Sequence, residues 1–252
     1  DKPLDERVAI MRDPEFKKKC LRETPVKLAG PGSSVPPIAD VMIAAIEMVA
    51  NKFFRLGENP DYEQPQDQSL GAEARRDGVT AMEKLYDTLL ELDGKQLIYF
   101  PIYNYTDFNY ENVRAMMTHP KALPGLSDGG AHVGTICDAS FPTYLLTHWC
   151  RDRAQGQIPL QRAIQMLTAD GADYLRLKDR GRLKVGLRAD INIIDHESLR
   201  LGAPRMVKDL PAGGQRLLQP VSGYRATFVN GEQVVANDEV TEARPGRLVR
   251  FQ

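Results

Sequence analysis

The chain has 252 residues, a formal net charge of −1, and 42% hydrophobic and 27% charged residues. This composition is typical of a globular protein with a core in one or two domains, and the lack of a basic excess argues against a nucleic-acid partner. No apolar run approaches the roughly 20 residues that cross a bilayer, so we expect no membrane partner. The three cysteines show no C-x-x-C spacing, which favours a reducing, cytoplasmic location.

The first 94 residues are predicted to be mainly helical. Apolar side chains recur there at intervals of three and four residues, which is the pattern of helices with one buried face. Gly94 stands where a glycine that caps a helix C-terminus belongs. The three predicted helices cover residues 4–22, 38–55 and 70–92.

The middle of the chain alternates between strand and helix patterns. A strand over 96–100 is followed by a helix over 110–117 and a second strand over 122–126. Ser140 is predicted to cap the next helix, and Pro159 to open the one after it. A strand–helix–strand order of this kind predicts a parallel α/β architecture.

The character of the sequence changes near residue 180. The glycine- and proline-rich stretch 201–223 reads as a loop, and Asn230-Gly231 is a preferred turn for a β-hairpin. We therefore predict a small β module after residue 180. Its predicted strands cover residues 182–186, 189–195, 226–229 and 232–235.

The segment Ser127-Asp128-Gly129-Gly130-Ala131, with His132 directly after it, is the strongest candidate for a functional site. A carboxylate at the end of a strand, backed by two glycines, is well placed to serve as a general base. Asn104 and Tyr105 follow the preceding strand, on the side where sites of (β/α) enzymes assemble. A structural alternative stays open, because an aspartate before glycine often makes only a local turn hydrogen bond.

These segments resemble the amidohydrolase superfamily, and more narrowly the D-aminoacylase (N-acyl-D-amino-acid deacylase) branch. Residues 112–114, 118–120 and 123–132 resemble the last barrel strand of that family. Residues 179–195 resemble its return from barrel to sandwich, and the last two similar stretches are 229–231 and 243–247.

The resemblance implies an α/β fold, the C-terminal part of a (β/α)8 metal-dependent hydrolase barrel followed by a small β-sandwich module. Residues 1–180 are then a partial barrel with a helical insertion around 38–94, and residues 181–252 form the β module.

The resemblance also implies a zinc-dependent hydrolase that splits a carbon–nitrogen bond other than a peptide bond with a metal-activated water. Asp128 is then the general base and a metal contact. The expected substrate is a small-molecule N-acyl amino acid, and the alternative is a cyclic amide, as for enzymes of the dihydropyrimidinase or imidase type. The implied substrate-binding residues are Asn104, Tyr105, Ser127, Gly129, Gly130 and His132.

The sequence departs from the family pattern in two ways. The family's metal site needs a His-x-His pair, and none of the four histidines has that spacing. Related deacylases also hold the substrate carboxylate with an arginine shortly after the aspartate, and Thr135–Pro142 contains none. We interpret His119 and His148 as structural residues and expect His196 to face solvent.

These departures predict that the chain is the C-terminal portion of a larger enzyme and neither holds zinc nor acts by itself. Its expected partner is the missing N-terminal half of the same enzyme. Because a split barrel exposes unpaired strand edges, a homo-oligomer is the other expectation. A non-catalytic structural module remains the alternative if no metal-binding half exists.

Overall fold

The structure is a computed structural model that describes residues 2–31, 37–125, 130 and 132–249. It is a mixed α/β protein with helices and small β-sheets. The chain divides into two compact units, Asp1–Asn112 and Val113–Gln252, each of which is described by itself. The boundary near residue 180 that the sequence suggests lies inside the second unit and stays a prediction.

The first unit is mainly helical, as expected, but its helices are shorter than the sequence patterns suggest. Pro14 begins a new helix, and the Asp13 carboxylate caps it by accepting from the Phe16 N–H at 2.8 Å. Gly78 ends another helix in the left-handed conformation at φ 70°, and Thr80 caps the next one. The helices are α1 (Leu4–Met11), α2 (Pro14–Cys20), α3 (Ile38–Ala44), α4 (Ile46–Val49), α5 (Leu70–Asp77) and α6 (Ala81–Leu89).

Two short strands complete the first unit. Strand β1 (Phe54–Leu56) pairs antiparallel with β2 (Leu97–Tyr99), so that Arg55 lies opposite Ile98. The end of the predicted helix 38–55 is therefore a strand. The Phe53 ring packs edge-to-face on Phe100 with 5.0 Å between centroids. The buried cluster beside it consists of Ala50, Phe53, Leu70 and Ala81.

Arg55 joins strand β1 to helices α5 and α6. Its guanidinium binds both carboxylate oxygens of Glu91 at 2.8 Å and donates to Thr88 Oγ1 at 3.0 Å. It also pairs with Glu73 on α5, which Lys84 contacts at 3.3 Å. The hydrogen bonds to Glu91 raise the pKa of Arg55 above its ordinary value against the opposing effect of partial burial. The positive charge of Arg55 is thus paired with carboxylates at a partly buried position.

The second unit begins with a helical region. Helix α7 (Glu111–Met117) spans the division between the units, and α8 (Phe141–Tyr144) runs into a π-helix, Leu145–Asp152. The Arg153 N–H donates to the carbonyl of His148, five residues back, at 2.9 Å. Pro159 precedes α9 (Leu160–Leu167) as predicted, and α10 is Ala169–Tyr174. None of the helices in the described ranges combines the length and apolar character that crossing a membrane requires.

Arg151 ties the π-helix to the chain that follows the first strand of the β module. Its guanidinium donates to the carbonyls of His196 and Glu197, and to that of Leu199 at 2.9 Å. Asp152 neutralises it from the same helix, and the hydrogen bond from Arg151 holds the pKa of the Asp152 carboxyl below its usual value. The backbone oxygens of this turn therefore have a charged partner in place of water.

In the described residues, the β module contains the strands β3 (Ile191–Ile194), β4 (Arg200–Leu201), β5 (Arg205–Val207), β6 (Arg216–Leu218), β7 (Val221–Ser222), β8 (Tyr224–Val229), β9 (Glu232–Ala236) and β10 (Glu239–Val240). They form three small sheets with antiparallel pairing. Strand order in the largest is β10-β9-β8-β3, with β8 and β9 joined by the predicted Asn230-Gly231 turn, whose φ angles of 53° and 81° fit a type I′ hairpin. Strands β4 and β7 pair with each other, as do β5 and β6.

Several strand predictions differ from the structure. The hairpin and the strand around 191–194 are confirmed, but residues 182–186 form no strand, and Leu183 and Val185 are 83% and 100% exposed. The predicted loop 201–223 contains strand pairs. Every strand pair among the described residues is antiparallel, so the expected parallel unit is not seen there. Residues 122–125 are not a strand, and residue 126 lies outside the described residues. The barrel and the sandwich stay predictions.

We expect Arg55→Leu to lower the free energy of unfolding by about 2 kcal/mol, because it leaves the half-buried Glu91 without its cation and leaves Glu73 with Lys84 alone. Urea denaturation followed by circular dichroism measures the change. Arg75→Ala is the matched control, since this exposed arginine binds only the uncharged Asn51 side chain among the contacts described. A change equal to that of the control would contradict the assigned role of Arg55.

Gly223→Ala should destabilise the second unit by about 2–4 kcal/mol, since φ at this position is 109° and a Cβ would lie 2.7 Å from the Leu199 Cα. Leu199 is fully buried, so the backbone has little room to move. Gly246→Ala, with open space around its Cβ, should stay within about 0.5 kcal/mol of the parent. Equal thermal denaturation midpoints for the two variants would refute this packing argument.

Candidate functional site

The central residues of the candidate site, Ser127, Asp128 and Gly129, lie outside the described residues. Their predicted roles therefore stay predictions. Gly130 and His132 are described, and both are exposed and have left-handed backbone angles, with φ of 103° and 45°. A glycine adopts such angles readily, whereas a histidine does so at a cost.

The turn at His132 is closed by hydrogen bonds to its carbonyl oxygen. The backbone N–H groups of Thr135 and Ile136 donate to it at 2.8 and 3.0 Å, and the Thr135 hydroxyl donates at 3.1 Å. Three donors on one carbonyl fix the path of the backbone while the His132 ring stays exposed. The geometry is compatible with the predicted substrate contact and does not test it.

The β5–β6 hairpin supports the loop that follows this turn. The Leu217 N–H of β6 donates to the Val133 carbonyl at 2.7 Å. The side chain of Gln219 bridges to Ser140 Oγ and donates to the Gly202 carbonyl at 3.0 Å. Ser140 therefore contacts Gln219 and makes no side-chain cap, although it directly precedes α8 as predicted.

The sequence did not predict that a hairpin would contact the loop at Val133. The stretch from 201 to 223 was expected to be a loop because glycine and proline are frequent in it. The available signal was two apolar pairs, Met206-Val207 and Leu217-Leu218, on either side of Gly213-Gly214. Pairs of apolar residues are too short for a hydrophobic period to be recognised.

Asn104 and Tyr105, the other predicted substrate contacts, belong to the first unit. Asn104 is exposed with φ 58°. Tyr105 is fully buried, and its hydroxyl donates to the Gln64 carbonyl at 2.7 Å. Burial raises the pKa of this phenol. The described contacts of Tyr105 are those of a core residue against Phe54 and Tyr110, and its role toward substrate stays a prediction.

The histidines do not assemble a metal site in the described part of the chain. Nδ1 of His119 accepts from the Lys121 N–H at 3.2 Å, and the His148 ring stacks on Tyr144 with 4.7 Å between centroids. His196 was expected to face solvent, but it is half-buried and its Nε2 donates to the Leu146 carbonyl at 2.9 Å. No group of three or more histidine, cysteine, aspartate or glutamate side chains within the described ranges could hold a metal ion.

The cysteines offer no activated nucleophile. Burial raises the pKa of the Cys150 thiol to about 11, and burial followed by the charge of Asp138 raises that of Cys137. Cys20 is exposed. A catalytic thiol needs a lowered pKa, so cysteine chemistry finds no support at Cys137 or Cys150.

Comparison with known protein families gives a match over the middle of the chain. The sequence model of a family described as the amidohydrolase family matches residues 101–235, which is more than half of the chain. The matched region contains every candidate site residue named above. No curated protein and no solved structure matches the chain.

We expect Cys150 to react with iodoacetamide more slowly than the exposed Cys20, because Cys150 is partly buried and its thiol has a raised pKa. At about pH 8, Cys20 should be alkylated at least about tenfold faster than Cys150, because a thiol of raised pKa holds little thiolate. The rate at Cys150 should rise about tenfold per pH unit until its pKa is reached. Peptide mass spectrometry measures each site, and equal rates at Cys20 and Cys150 would contradict the burial of Cys150.

Proposed function

Because this chain belongs to the amidohydrolase family, we propose that it forms the C-terminal portion of a zinc-dependent hydrolase that splits an amide bond. Asp128 is the general base of this proposal. The observation that carries it is the family match over residues 101–235, which contains the Ser-Asp-Gly-Gly segment at 127–130. A cytoplasmic location belongs to the same proposal, supported by three cysteines that form no disulfide.

The proposed chemistry of Asp128 follows from the properties of a carboxylate. With an unperturbed pKa of about 4, it is ionised at neutral pH and accepts a proton from the attacking water. The same group then returns the proton to the leaving nitrogen.

Zinc is part of the proposal for the complete enzyme, but the described residues alone do not fit it. They contain no cluster of three potential ligands, whereas zinc takes three or four in proteins. In this proposal Asp128 is one metal contact, and the other ligands come from a partner segment with a His-x-His pair. Association with further copies of this chain stays a prediction.

The proposed substrate is an N-acyl-D-amino acid, as the sequence resemblance suggests, and the second candidate is a cyclic amide. The segment from Thr135 to Pro142 has no arginine to hold a substrate carboxylate. The cyclic amide is therefore kept as the second substrate candidate. A panel of N-acyl-D-amino acids, their L-isomers and hydantoins, given to the zinc-loaded complete enzyme, separates the two. Hydrolysis of hydantoins alone would replace the first substrate class by the second.

In the complete enzyme, Asp128→Asn should reduce kcat by about 10²–10⁴-fold, because asparagine cannot accept the proton. The circular dichroism spectrum and the zinc content per chain should be followed together with the rate. Asp209→Asn is the control, since this exposed carboxylate pairs only with Arg216 in the described structure.

Near-normal turnover of the Asp128→Asn enzyme would remove the proposed role of this residue. Absence of hydrolysis by the parent enzyme across the whole panel would instead favour the non-catalytic alternative. The two outcomes are distinct, because the first requires an active parent.

A further inference from the structure

The turn between β8 and β9 joins an asparagine to a glycine. In such a pair, the backbone nitrogen of the glycine can attack the side-chain amide of the asparagine, since no side chain hinders the approach. Asn230 and Gly231 are both exposed, so water reaches the reacting atoms. The sequence alone would make this turn the most reactive asparagine site in the β module.

The folded structure engages both reacting groups. The Gly231 N–H, whose nitrogen is the nucleophile, donates to the Ala189 carbonyl at 2.9 Å. The Asn230 side-chain oxygen accepts from Arg188 Nη2 at 3.2 Å. The Asn230 N–H donates to the Asp190 carboxylate at 2.8 Å. We call these three hydrogen bonds, between residues 188–190 and the turn, the latch.

The latch is itself held by the chain before it. The Arg188 N–H donates to the Asp179 carbonyl at 2.8 Å, and Arg180 pairs with Asp190 at 3.4 Å. Residues 188–190 thus contact both the turn at 230–231 and residues 179–180. Rotation of the Asn230 amide toward the Gly231 nitrogen requires the latch to open first.

We propose that Asn230 is a deamidation site whose reaction the latch holds back, so that the site reacts when the latch opens. In the reaction, the Gly231 nitrogen loses its proton to solvent base and bonds to Asn230 Cγ, and the Cγ–Nδ2 bond breaks. Ammonia leaves, and a cyclic imide remains. Water then opens the ring at either carbonyl, which gives aspartate or isoaspartate. One water is consumed, one ammonia is released, and nothing is oxidised or reduced.

The two products have opposite consequences for the turn. Aspartate places a second oxygen beside Arg188, whose Nε is buried and has no hydrogen-bond partner among the described residues. Isoaspartate adds a methylene to the backbone and is incompatible with a two-residue type I′ turn. Accumulated isoaspartate therefore marks chains in which the β8–β9 hairpin has lost its native connection.

The experiment follows deamidation of the full chain at mildly alkaline pH by peptide mass spectrometry, with isoaspartate resolved chromatographically. Asn230 should deamidate at least about tenfold more slowly in the folded chain than in the chain unfolded by guanidinium. Asn237, on the next turn of the same sheet, is the internal reference within each sample. Equal folded and unfolded rates at Asn230 would overturn the proposal without any variant.

Two variants then test the latch itself. Arg188→Ala and Asp190→Ala should each raise the Asn230 rate in the folded chain by about tenfold and leave the Asn237 rate unchanged. Arg205→Ala, in the separate β5–β6 hairpin, is the matched control. If Asn230 and Asn237 accelerate together in both latch variants, the whole module protects the site and the latch is refuted. Hydrogen exchange of the parent gives an independent check, because an unprotected Gly231 amide would also refute the latch.

Discussion

The pairing of one half-buried guanidinium fixes the arrangement of the first unit. A charge that leaves water is tolerated only with partners, and Arg55 finds them in Glu73 on α5, Thr88 on α6 and Glu91 just after α6. Movement of α5 relative to β1 would separate the Arg55–Glu73 ion pair, and movement of α6 would break the hydrogen bond to Thr88. The elements that enclose the aromatic and aliphatic core around Phe53 are therefore held in place by the polar contacts of Arg55 as well.

The second unit uses arginine differently. Arg151 reaches from the π-helix to backbone carbonyls of the turn at 196–199. Its partners in the β part of the unit are therefore main-chain oxygens, whereas Arg55 binds mainly carboxylates. Leu199 at the end of that turn is fully buried, and the close approach of Gly223 keeps it so. The helical and β parts of this unit are thus joined by polar contacts to backbone as well as by apolar packing.

For most elements, the sequence predicted the type, helix or strand, better than the first and last residues. Hydrophobic spacing located the helices, but Pro14 and Gly78 divided two of them, since local backbone chemistry overrides a continuous apolar stripe. The Asn230-Gly231 hairpin was predicted because its turn chemistry is local. The parallel pairing is not seen among the described residues, because strand partners are chosen by contacts distant in sequence, as in β1 with β2. For the candidate site, a motif located Asp128, whereas the contact of Leu217 with Val133 came from the structure alone.

Residues 182–185, at the start of the β module, also affect how the protein behaves in concentrated solution. Leu183 and Val185 alternate with Arg182 and Lys184, so each of these exposed apolar side chains has a cation next to it in the chain. Like charges repel when two such segments approach edge to edge, which opposes the growth of ordered aggregates. The same alternation that imitates a strand in the sequence thus acts as a gatekeeper against intermolecular pairing.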